Sequence, residues 1–114
     1  MSVNEKEGGS MEISVSVNGG NSEITVLGTI KTISDGLMIK EKINHTFTHD
    51  KQRAIRLNIK DSFIITSSVI GFLVKAIKID KMDLTVCVGS IELYSMLDDM
   101  NLLDSMNVRK VSYA

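Results

Sequence analysis

Between Ala54 and Lys78 the chain changes its hydrophobic period, and that change constrains the fold more than any other feature. Ala54-Ile55-Arg56-Leu57-Asn58-Ile59 alternates with period two, the pattern of a strand, whereas from Val69 onward apolar positions recur with helical spacing. At the junction, inside the run Ile64-Ile65-Thr66-Ser67-Ser68-Val69-Ile70-Gly71-Phe72-Leu73, stand three consecutive hydroxyl residues. A short side-chain oxygen can accept a hydrogen bond from one of a helix's unpaired first-turn N–H groups, so Ser67 or Ser68 is expected to cap the helix. That end of a helix also favours negative charge, so a phosphate added there would meet N–H donors and the positive end of the dipole. Taken alone, a serine at a helix start is simply a cap.

The rest of the chain repeats the alternation of strand and helix. Ile13, Val15 and Val17 alternate with Ser14 and Ser16, Asn18-Gly19-Gly20-Asn21 supplies a hairpin turn, and Ile24, Val26 and Leu27 return as a second strand reaching Gly28. Gly28-Thr29-Ile30-Lys31-Thr32-Ile33 leads out of the hairpin, and Ser34 or Asp35 is expected to cap a helix beginning near Gly36, with Ile39, Ile43 and Phe47 on one face. This helix is expected to fray at Thr46 to Thr48. Arg53 to Ile59 is the third strand. After the junction, Val69 to Ile79 leaves little polar surface, which implies burial on more than one side. Leu84 to Val88 reads as a central strand covered on both faces. Ser90 can cap a third helix with Leu93, Leu97 and Met100 along its apolar stripe, and Val108, Val111 and Tyr113 suggest a short last strand. The expected fold is a single α/β layer sandwich: a mixed sheet of about five strands with an N-terminal hairpin, packed against about three helices, with right-handed crossovers. Residues 1–10 read as a flexible polar tail and 11–114 as one domain.

Composition excludes several functions. With 13 basic and 14 acidic residues and a net charge of −1, no face is predicted to be strongly basic, and nucleic-acid binding has no support. Aromatic residues make up 4% of the chain with no tryptophan, so stacking on bases or sugars is not its mode of recognition. Phe63 to Ile79 is broken by hydroxyls and by Lys75 and Lys78, short of a membrane span of about 20 residues. Met1 to Glu12 has no apolar segment of the kind a secretory signal carries, so a cytoplasmic location is expected. Cys87, the single cysteine, lies in an apolar run and reads as a buried, inert thiol. His45 and His49, four apart, have the spacing of a metal-binding pair but no accompanying cysteine or carboxylate signature, and read as solvated histidines. No nucleophile elbow, phosphate-binding lysine loop or dinucleotide fingerprint occurs, which argues against an enzyme and against a cofactor or metal.

The chain from Glu12 to Tyr113 resembles the STAS domain family, shared by anti-sigma-factor antagonists and the cytoplasmic tails of sulfate transporters. Ile64-Ile65-Thr66-Ser67-Ser68-Val69-Ile70-Gly71-Phe72-Leu73 is similar to the family's run of two apolar residues, Asp, Ser, Ser or Thr, Gly, Leu, Gly and an apolar residue. Leu84-Thr85-Val86-Cys87-Val88 and the segment Tyr94 to Leu102 are similar to the strand and helix that follow. Thr66 stands where the family usually has aspartate, Val69 where it has glycine, and Lys31 where an acid is common. The resemblance implies that Ser67 is a phosphoacceptor, with Thr66, Ser68 and the neighbouring Gly28, Thr29 and Lys31 forming a partner-binding surface. It implies a protein partner: an anti-sigma factor with serine-kinase activity, or a larger signalling assembly. The alternative it leaves open is a constitutive adaptor without a phospho-switch, as part of a stress-signalling complex or transporter accessory. Homo-oligomerisation stays open as well.

Overall fold

A computed structural model describes residues 11–49 and 53–113, so the segment expected to be a polar tail lies outside the described residues. β1 (Met11–Asn18) and β2 (Asn21–Gly28) form the antiparallel hairpin. Its two-residue turn has φ +64° at Gly19 and no positive φ at Gly20, the pattern of a II′ turn, which matches the twist of the flanking strands. β2 pairs in parallel with β3 (Ala54–Ile59), β3 with β4 (Leu84–Val88) and β4 with β5 (Val108–Lys110). The spatial order of the strands is therefore the chain order, β1-β2-β3-β4-β5.

The crossovers are α1 (Ile33–His49), α2 (Ser67–Lys78) and α3 (Ile91–Asp99). All three step the same way across the sheet, and parallel crossovers are right-handed, so the helices share one face. The core lies beneath them. Ile24 and Val26 of β2, Ile55, Leu57 and Ile59 of β3, and Leu84, Val86 and Val88 of β4 alternate with polar residues and are buried, as are Ile39 and Ile43 of α1, Val69 and Leu73 of α2, and Leu93 and Leu97 of α3. Each such side chain contributes about 1.5–3 kcal/mol relative to leaving it exposed.

The opposite face carries a polar network instead. Asn58, buried in the middle of β3, donates to Glu23 Oε1 at 2.9 Å and accepts from the Tyr113 hydroxyl at 3.0 Å. Tyr113 lies beyond β5, which ends at Lys110, and its ring packs over Gly89 with the Lys60 ammonium 5.2 Å from its centre. Cys87 faces this side of β4 and is buried, so β4 is covered on both faces as expected. Burial pushes the Cys87 thiol up from its ordinary value.

Three local expectations are corrected. α1 begins at Ile33, three residues before Gly36, because its cap is Thr32 rather than Ser34 or Asp35: the Thr32 hydroxyl accepts from the Asp35 N–H at 3.0 Å, while the Asp35 carboxylate accepts from the N–H groups of Lys31 and Thr32, both at 3.0 Å. This reciprocal pair is a capping box with aspartate in the acid position. α1 does not fray at Thr46 but runs to His49, held on the core by the half-buried Phe47. Met100 leaves the α3 stripe, since the helix ends at Asp99 and its side chain is half exposed. Ser90 does cap α3, accepting from the Leu93 N–H at 3.1 Å.

Candidate functional site

The hydroxyl junction sits where the C-terminal ends of β2 and β3 meet the first turns of α1 and α2, the end of a parallel sheet at which open α/β folds bind their ligands. The cap of α2 is Thr66, not Ser67 or Ser68. Thr66 is extended (φ −82°, ψ 154°), its hydroxyl accepts from the Val69 N–H at 3.4 Å and its carbonyl from the Ile70 N–H at 3.1 Å. Packing sets this phase: Val69 is fully buried, which places it in the third helical position and puts Thr66 in the cap. Ser67 is left as the first helical residue, exposed, and its hydroxyl has no hydrogen-bond partner among the described residues. Ser68 is exposed beside it, with its hydroxyl 3.5 Å from that of Thr66.

The neighbouring loop is stitched to the junction by residues that the sequence pattern did not single out. The Gly28 N–H donates to Asp61 Oδ1 at 2.8 Å, and the Ile30 N–H to the Ser62 hydroxyl at 3.0 Å, which in turn donates to the Ile64 carbonyl at 2.7 Å. Gly28 has φ +91°, a conformation in the left-handed half of the map that disfavours any side chain. Thr29 follows, half-buried, and Lys31 is exposed at the head of α1. Gly28, Thr29 and Lys31 thus belong to a loop tied to the segment that leads into Thr66, Ser67 and Ser68.

α1 and α2 touch at their first turns. A Cβ on Gly36 would stand 3.0 Å from Val69 Cγ2, 3.6 Å from Thr66 Oγ1 and 3.7 Å from Ser68 Oγ, so the absence of a side chain at Gly36 makes room for the branched Val69. Asp35, one residue earlier, is buried. Burial alone would raise its carboxyl, but hydrogen bonds from the Lys31 and Thr32 N–H groups, with help from the Thr32 hydroxyl and the Lys31 charge, hold it below the ordinary aspartate value.

No protein-family model matches the chain, and no curated protein matches it.

Ile33 is 81% exposed and Leu37 50% on α1, and Phe63 is 55% exposed four residues before Ser67. The outward face of α2 is Ser67, Ser68 and Gly71, followed by Lys75 and Lys78. Its first turn holds no acid. No nucleophile–base pair is assembled there from the described side chains. His45 and His49 lie at the far end of α1, and among the described residues no group of three His, Cys, Asp or Glu stands where it could hold a metal ion. No helix among the described residues is long and apolar enough to cross a membrane.

Proposed function

We propose that the chain is a non-enzymatic, STAS-type regulatory module that binds a protein partner through the surface around Ser67 and is switched by phosphorylation there, in the manner of an anti-sigma-factor antagonist. The observation that carries the reading is the exposed Ser67 hydroxyl on the first turn of α2, which has no hydrogen-bond partner among the described residues. An exposed hydroxyl at this position would lie within the proposed docking surface. A phosphate would add about −1.5 to −2 charges at its centre and desolvate poorly against an apolar partner. The helix terminus tolerates the anion: Thr66 occupies the N–H groups of Val69 and Ile70, while those of Ser67 and Ser68 have no protein partner among the described residues. Binding would change while the fold stays as it is.

Thr66 favours a second reading. A threonine in the cap position, with no acid in the first turn, removes the negative charge that the family resemblance leads one to expect beside the phosphoacceptor, as a constitutive adaptor would allow. The two readings separate in one experiment. A serine kinase of the anti-sigma-factor type, incubated with the chain and ATP, is expected to phosphorylate the parent and not Ser67→Ala, and Ser67→Asp is expected to lose partner binding at least tenfold with an unchanged circular-dichroism spectrum. If Ser67→Asp binds the partner as well as the parent does, the switch is wrong and the adaptor stands.

A further inference from the structure

β1 forms one border of the sheet, and among the described residues no strand pairs with its outer side. Every residue from Ser14 to Asn18 is exposed, so neither face of this stretch is covered. The hairpin fixes which backbone groups look outward. In a two-residue hairpin the residues flanking the turn, here Asn18 and Asn21, exchange both backbone hydrogen bonds, and such pairs alternate along the ladder with pairs that do not. Asn18, Ser16 and Ser14 therefore bond to β2, while Ile13, Val15 and Val17 turn their N–H and C=O groups to the outer border. The side chains of these same three residues lie on the helix side of the sheet, with Val15 45% and Val17 64% exposed. Natural borders are guarded by lysine, proline, a bulge or shortness. β1 has 8 residues in unbroken register, and Glu12 is its only charge. The opposite border is guarded: β5 has 3 residues, among them Arg109 and Lys110.

We propose that β1 pairs with β1 of a second copy of this chain, antiparallel about a two-fold axis at Val15, joining the two sheets into one. Two demands set the register. Outward backbone groups must meet outward groups, and the helix side of one sheet must continue the helix side of the other, because a slip of one residue sets valines against serines. Centring on Ser14 would enlist Met11, whose side chain is already buried, whereas centring on Val15 uses Ile13 to Val17. Val15 then faces the partner's Val15, Ile13 the partner's Val17, and Ser14 the partner's Ser16. Glu12 comes opposite the partner's Asn18, so no like charges meet. About six backbone hydrogen bonds close across the junction. A second copy fits better than a foreign strand because the segment is its own complement, apolar falling on apolar and hydroxyl on hydroxyl. The two-fold also closes the assembly, since the short basic border at β5 cannot extend it.

The test is analytical ultracentrifugation of the full chain over a range of concentrations, with amide hydrogen exchange measured on the same samples. The parent is expected to pass from monomer to dimer, the Ile13, Val15 and Val17 amides gaining protection as the dimer fills while those of Ser14 and Ser16 are protected throughout. Two double variants of the exposed serines probe the register. Ser14→Lys, Ser16→Lys sets like charges opposite each other across the junction and is expected to weaken the dimer at least tenfold, with an unchanged circular-dichroism spectrum. Ser14→Glu, Ser16→Lys sets opposite charges there and is expected to dimerise as tightly as the parent. A parent that stays monomeric at every concentration would overturn the proposal, as would equal dimerisation by the two variants. Protection of the Ile13, Val15 and Val17 amides in a monomer would overturn it too, assigning the border to another segment of the same chain.

Discussion

The ionisation of Asp35 and of Tyr113 is coupled to the fold. Because the Asp35 carboxyl is held below its unfolded value of about 3.9, the stability it confers is present above that pH and drains away as pH falls through the lower folded value. Asp35→Asn is expected to cost about 1 kcal/mol at neutral pH and to flatten the acid limb of the stability curve, measured by urea unfolding at about pH 7 and about pH 3. Tyr113 runs the other way. Burial first, then the nearby Cys87, pushes its hydroxyl up to about 12. Its contribution is therefore complete below the unfolded value of about 10 and lost as pH rises through about 12. Tyr113→Phe leaves the buried Asn58 oxygen without its donor, and is expected to cost about 1–3 kcal/mol at neutral pH, with the loss shrinking at alkaline pH.

At the scale of elements, α2 is the one whose sequence said most and still misled. Its hydroxyl-rich start was legible, but three consecutive hydroxyls all satisfy the preference for a capping oxygen; burial of Val69 against Gly36, a contact between helices, chose Thr66. The start of α1 was legible in Thr32-x-x-Asp35, which carries a capping box, yet the nearer Ser34 and Asp35 competed for the role. Asp61 and Ser62 were not legible at all. Their partners, Gly28 and Ile30, lie 33 and 32 residues away, and no local pattern encodes a bond across that distance. Gly71 supplies the element-scale prediction. A Cβ there meets nothing within 4 Å, so Gly71→Ala should raise stability by about 0.8–1 kcal/mol through helix propensity alone, read as a shift in the urea midpoint with an unchanged slope. A loss of stability would mean that the face of α2 carrying Ser67 and Gly71 is covered in the isolated protein.

For the molecule as a whole, alternating periods sufficed to read the class and element order, because each strand and helix repeats its own period over several residues. The end-to-end arrangement was not readable. That the carboxyl ends of β2 and β3 bring the Gly28 loop and the segment leading to Ser67 together follows from the parallel register of β2, β3 and β4, which no single segment states. The ordering of the sheet, in which every strand lies beside its predecessor, has a bearing on biosynthesis. A polypeptide leaving the ribosome never has to hold open a gap for a strand not yet made: each newly translated segment finds a finished border to join. Assembly can thus advance by accretion from the hairpin, with little exposure of half-built, sticky intermediates to their neighbours.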